Sequence, residues 1–333
     1  MEFRTIVDIP DPGFRIAPCE ELLFVGSCFA TEIGHRFQEE GFPVVVNPFG
    51  TMYNPVSILH TIEKLFRGCG GAVARWHEDT SRAALNGLQT NLAPPCPRTP
   101  VPPSLVFLTL GTNHVYRLKS TGEIVDNCEK RPATLFQEEE LSVDTCADYL
   151  MQAVTLLRQV NPDIRIVLTV SPIRYRKYGY HGSQLSKATL LLAIEKIVRG
   201  HEGAGVRGCE DTPSTALNGM QTNLVPPCPR TSVPPSIPYF PAYEIVNDEL
   251  RDYRFYKPDM LHPSDQAVEY IWQRLSETYL SNEAKAFIQE WAPLKAALNH
   301  KPFDAESEEY KAFMHKTMLK VEALKKKYPN FAL

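Results

Sequence analysis

Nowhere does this sequence hold the roughly 18 consecutive apolar residues that a bilayer-spanning helix needs, so no membrane segment is expected. It also lacks an excess of charge of one sign, with 35 Lys and Arg against 39 Asp and Glu and a formal net charge of −4. That balance gives no reason to expect nucleic acid or an anionic membrane surface as a partner. The N-terminal MEFRTIVDIPDPGF lacks an apolar core followed by a small-residue cleavage site, so no signal peptide is expected and the chain reads as cytoplasmic. The eight cysteines (Cys19, Cys28, Cys69, Cys96, Cys128, Cys146, Cys209 and Cys228) form neither a CxxC pair nor a cluster at zinc spacing. In a reducing compartment they read as free thiols. No metal or nucleotide motif is present, and no cofactor is expected.

With 333 residues, 43% of them hydrophobic, the chain can bury a substantial core. Its 28 prolines are concentrated in two tracts that copy one another, Arg67–Ser104 and Arg199–Ser236. ALNGLQTNLAPPCPRTPVPPS from Ala84 returns as ALNGMQTNLVPPCPRTSVPPS from Ala216. Proline lacks the N–H and fixes φ, so these tracts cannot continue a helix or serve as central strands. They are expected to be extended, exposed surface segments. Unrelated sequence separates the copies, unlike the contiguous tiling of a solenoid.

Around the tracts, strand and helix patterns alternate. Leu22–Val25, Val44–Val46, Leu105–Leu110, Ile164–Val170 and Ile237–Phe240 read as short buried strands. Helical spacing is expected over Ala30–Glu40, Pro55–Phe66, Val143–Val160, Ser186–Val198 and the stretch after Pro263, with a hairpin over Arg117–Ile124. From Asn282 to Lys327 the pattern is helical throughout. This order predicts an α/β fold with a doubly wound, mostly parallel sheet over residues 1–281, interrupted at 67–104 and 199–236, then a helical extension over 282–333. Ligands in such sheets sit beyond the carboxyl ends of the strands. GSCF, NPFG, GTNH and SPIR stand at those ends.

Three motifs carry candidate chemistry. FVGSCFA places Ser27 and Cys28 between a strand and a helix, where free N–H groups stabilise a thiolate or an oxyanion. LGTNH places Asn113 just past a strand end, where its amide can donate to an oxyanion. PDMLHPS sets Asp259 three residues before His262, a spacing that lets the carboxylate orient one imidazole nitrogen while the other takes a proton. Arg174, Arg176 and Lys177 follow the fourth strand and suit an anionic group. Arg251, Tyr253, Arg254 and Tyr256, just before the Asp–His pair, are candidate pocket residues.

On GSCFA, NPFGTMYNP, TLGTNHVYR, SPIRYRKYG, YFPAYEIVNDELRDYRFY and DMLHPS, the chain resembles the GSCFA family, which is grouped with the SGNH or GDSL-like hydrolases. The resemblance implies a flavodoxin-like three-layer α/β/α sandwich. It also implies a triad of a nucleophile with Asp259 and His262, and Gly50 and Asn113 in the oxyanion positions. SGNH enzymes carry their serine two residues after the strand-terminal glycine, and aligning on Gly26 puts Cys28 there, with Ser27 as the alternative. The implied activity is acyl-ester hydrolysis of a small-molecule or carbohydrate ester. Acyl transfer to a sugar or other hydroxyl uses the same residues, and a non-catalytic binding protein on the same fold is the third alternative.

Overall fold

The computed structural model describes residues 4–66, 103–126, 128, 131–204, 236–304 and 306–333. The expectation of exposed, extended Pro-rich tracts falls almost wholly outside these residues. Where the second tract begins, the chain is still helical.

Five parallel strands form the central sheet: β1 (Leu22–Gly26), β2 (Val44–Val46), β3 (Leu105–Leu110), β7 (Arg165–Val170) and β8 (Tyr239–Phe240), in the order β2-β1-β3-β7-β8. Counting only these strands, the order is that of flavodoxin-like doubly wound folds, whose switch point lies between the first and third strands. The strands are continuous apolar runs because both faces are covered. Leu22, Phe24, Leu105, Phe107 and Val167 point into one core with α1 (Cys28–Glu39), α6 (Asp265–Tyr279) and α7 (Asn282–Leu298). Leu23, Val25, Val106, Leu108, Ile166 and Leu168 point the opposite way, into a second core under α2 (Pro55–Phe66), α3 (Val143–Val160) and α4 (Gly179–Ala204). This alternation is the two-residue period of the pleat. The parallel register pairs Phe24 with Phe107, whose rings stack at 4.6 Å.

A second, antiparallel sheet projects past the end of β3. In it, β4 (His114–Leu118) lies between β5 (Ile124–Val125) and β6 (Phe136–Glu140). The expected hairpin is present as β4 and β5, and β6 is an addition to it. Its sequence, FQEEE, reads as polar loop. Its glutamates meet cations on both sides, Arg117 Nη2 of β4 lying 3.0 Å from Glu139 and Lys177 Nζ, from the turn after β7, 2.9 Å from Glu138.

Two helix boundaries also differ from expectation. α4 starts at Gly179 rather than Ser186, since Gly179 and Gly182 weaken the sequence signal without stopping a helix that packs on the sheet. The C-terminal stretch is not one helix. α7 ends at Leu298, and α8 (Glu308–Lys327) begins only after Pro302, with the Ser307 hydroxyl accepting the Tyr310 N–H at 3.3 Å. Short helical segments Ala242–Glu244 (α5) and Ile245–Leu250, the latter a π-turn, link β8 to the loop before α6. No helix among the described residues is long and apolar enough to cross a membrane.

Candidate active site

The turn after β1 is set by Gly26. Its φ is +147°, and a Cβ there would stand 2.8 Å from the Thr109 carbonyl carbon, and nearer still to its oxygen. Only glycine fits this approach between β1 and β3. Asn47, after β2, braces the turn: its Oδ1 accepts the Gly26 N–H at 2.8 Å and its amide donates to Thr31 at 2.9 Å.

Beyond Gly26, Ser27 and Cys28 part ways. Ser27 is 1% exposed and is the N-cap of α1, its Oγ accepting the Phe29 N–H at 3.3 Å. Cys28 is the first helical residue and is exposed. It stands among first-turn N–H groups that have no intrahelical acceptor. It lines a cavity of about 640 Å³ with Thr51, Tyr53, Asp126, Tyr175 and His262.

His262 arrives from the loop before α6. Asp259 Oδ2 lies 2.5 Å from His262 Nδ1, while Oδ1 accepts the backbone N–H of Leu261 at 2.9 Å and of His262 at 3.0 Å. Those backbone N–H groups first, and then the imidazole, hold the Asp259 carboxyl down at about 2. The carboxylate has no proton to give at neutral pH, so Nδ1 carries it and Nε2 is the basic nitrogen. Met260, at φ +59°, makes the bend between them. The loop is closed by Lys257 N–H to His262 O at 2.8 Å and fastened to α1 by Lys257 Nζ on Glu32 at 3.0 Å. Glu32 lies one turn beyond Cys28 on the same helix face, which brings the histidine loop to the cysteine side of α1.

Close to Tyr175 lies a buried lysine, Lys187, its amine 5.6 Å from the ring centre. Its side chain is 1% exposed, and its ammonium donates to Gly111 O at 2.6 Å and Ser171 O at 2.7 Å, joining the turns after β3 and β7. Burial, and then the charge of Arg174, push the ammonium down to about 7. An unfolded lysine keeps its proton to about pH 10. Between these values the unfolded chain binds a proton that the folded one lacks, so stability should rise with pH across that window and be flat below it. Urea unfolding of the wild type and Lys187→Met is the check. The wild type should gain relative to the variant by up to about 1.4 kcal/mol per pH unit, and parallel pH curves would refute it.

The other expected site residues are placed as follows. Arg174, Arg176 and Lys177 line the cavity. Asn113 does not: it is 3% exposed, and its amide donates to Leu141 O at 2.8 Å. Gly50 is exposed, and its N–H closes a turn onto Asn47 O at 2.9 Å. Arg254 lies on a separate hollow, held by Asp252 at 2.9 Å. Tyr256, Arg251 and Tyr253 line a neighbouring cavity that also touches Arg174. Sequence reasoning passed over Tyr53, Tyr175, Asp126 and Lys187. Tyr53 O accepts the N–H groups of Gly111 and Thr112 at 2.7 and 3.0 Å, and its ring stands 5.4 Å from that of Tyr175. Asp126 is engaged by His60 at 2.7 Å and Lys64 at 2.6 Å. Among the described residues no group of His, Cys, Asp and Glu is arranged to hold a metal ion.

Two solved structures show a remote similarity to the chain. One is an acetyl esterase mutant with acetate ion, 9% identical, covering 81% of this chain and 99% of its own, with a TM-score of 0.37. The other is a carbohydrate esterase family 3 protein from Talaromyces cellulolyticus, with 9% identity, the same coverage and a TM-score of 0.35. No curated protein matches the chain. The model of the GSCFA family matches residues 21–205 and 227–275, and that of the GSCFA domain protein C-terminal domain matches 291–333. These matches take in the Gly26–Ala30 turn, the Asp259–His262 loop, the end of α7 and all of α8, and the chain belongs to the GSCFA family.

Proposed function

We propose that the protein is an SGNH-like acyl-ester hydrolase with Cys28 as nucleophile, His262 as general base and acid, and Asp259 as the group that orients it. The observation that carries this is the shared cavity: the exposed Cys28 and the imidazole held by Asp259 line the same hollow at the strand ends. Ser27 is buried, with its hydroxyl engaged as a helix cap.

In the first half-reaction the Cys28 sulfur attacks the ester carbonyl carbon while His262 Nε2 takes the thiol proton. The tetrahedral intermediate collapses with loss of the C–O bond, and His262 returns that proton to the departing alcohol, leaving a thioester on Cys28. Water then gives a proton to His262 and attacks the thioester. The C–S bond breaks, the acid leaves and the thiol is restored. The developing oxyanion is received by the backbone N–H of Cys28 at the start of α1, since the next two, of Phe29 and Ala30, are bonded to Ser27.

The test is to trap the acyl group. After brief mixing with p-nitrophenyl acetate and an acid quench, peptide mass spectrometry should find acetyl on Cys28, labile to hydroxylamine. Acetyl on Ser27 would reassign the nucleophile, and acetyl on neither would refute the proposal. Iodoacetamide labelling should follow the same order. Cys28 is exposed, whereas burial pushes the Cys19 and Cys146 thiols up to about 12 and raises that of Cys128 as well. Among these four, Cys28 should be carbamidomethylated first, and faster loss of Cys128 would contradict that.

A further inference from the structure

Arg174 stands where two hollows meet. It lines the cavity of about 640 Å³ with Cys28 and His262, and also the neighbouring one of about 410 Å³ framed by Tyr180, Asn247, Tyr253 and Tyr256. One terminal nitrogen of its guanidinium donates to Asn247 Oδ1 at 2.6 Å, while its Nε is buried with no partner. A buried donor of this kind needs an acceptor.

The charges around it do not supply one. Of the other groups in the Cys28 cavity, Lys177 is paired with Glu138 at 2.9 Å, and Asp126 is taken by His60 and Lys64. Among the described residues neither Arg174 nor Arg176 has a carboxylate partner, and the amine of Lys187 lies behind Tyr175, 5.6 Å from its ring centre. The wall of the cavity next to the nucleophile therefore carries positive charge without a carboxylate partner, from Arg174 and the exposed Arg176.

We propose that the substrate is an anionic ester, whose carboxylate is received by Arg174 and Arg176 while its ester carbonyl lies at Cys28. This rests on the assignment of Cys28 as nucleophile. A carboxylate suits the arrangement because the planar guanidinium fork matches its two oxygens. The basic wall makes a neutral ester of the same length the poorer ligand.

Two measurements separate the anion site from the nucleophile. First, kcat/KM is compared for mono-p-nitrophenyl succinate and the neutral p-nitrophenyl butyrate. The charged ester should be favoured by about tenfold to a hundredfold, the range of a hydrogen-bonded charge contact. That ratio should fall toward one in Arg174→Gln and in Arg176→Gln, with part of it restored in Arg174→Lys. Arg176→Gln guards against a folding artefact, since its side chain is exposed. Second, free succinate at constant ionic strength should slow carbamidomethylation of Cys28 in the wild type and not in Arg176→Gln. An unchanged ratio in both variants, or no protection by succinate, overturns the anion site. If Cys28→Ala still turns over ester while succinate protection depends on Arg176, the nucleophile assignment fails and the anion site stands. If Cys28→Ala is inactive and no preference depends on the arginines, the reverse holds.

Discussion

Cys28→Ala is expected to lower kcat for p-nitrophenyl acetate by about 10⁴-fold or more, the scale on which removal of a covalent nucleophile acts. Ser27→Ala, one residue away, should cost far less. It removes the cap that accepts the Phe29 N–H, a loss of about 1 kcal/mol in stability, and leaves the exposed thiol in place. Steady-state kinetics on the two variants, with circular dichroism to show both are folded, decide between the neighbours. The reverse pattern, with the serine variant inactive and the cysteine variant near full rate, would move the nucleophile to a buried hydroxyl and require the turn to open. His262→Ala should follow Cys28→Ala closely, because residues acting as one unit are not additive.

The second large effect is on folding. Gly26→Ala should destabilise the protein by about 4 kcal/mol or more, the range reserved for changes that the backbone cannot absorb. The added methyl would meet the backbone of Thr109, and φ is already +147°. Ser27 donates its own N–H to the same Thr109 carbonyl at 3.1 Å, so the strand pair cannot part to make room without losing that bond. Gly50→Ala is the contrast. Its φ is +92°, but a Cβ would meet nothing within 4 Å, so only the conformational cost of about 1–2 kcal/mol applies. Urea unfolding midpoints check both, and equal losses at the two glycines would show that the contact with β3 does not govern the first.

The parallel sheet was legible because each of its strands is a short apolar run followed by a small or turn residue, as in Leu22–Gly26 and Leu105–Leu110. The Asp259–His262 pair was legible for a similar reason, since a spacing of three in a Pro-bounded loop leaves few other geometries. What was hidden depends on partners distant in sequence. Nothing in FQEEE marks it as a strand until Arg117 and Lys177 reach its glutamates. Lys187 drew no reading from the sequence, although it precedes Leu190 and Ile194 on the buried stripe of α4. That extension of an apolar stripe by a cation was a usable signal. For Asn113, only the chain that brings Leu141 beside it shows where one of its two amide N–H groups goes.

The bracing of the histidine loop onto α1 has a consequence for the newly made chain. Cys28 enters early and His262 near the end of the domain, and Lys257 can find Glu32 only when α6 docks through Trp272, whose ring meets Phe37 at 4.7 Å. Contacts of such wide sequence separation form late, because the loop between them must first be closed. A ribosome-bound chain that has emerged only as far as β7 therefore displays the thiol without its imidazole. On the proposed assignment, the imidazole that takes the thiol proton joins Cys28 only when the fold is complete.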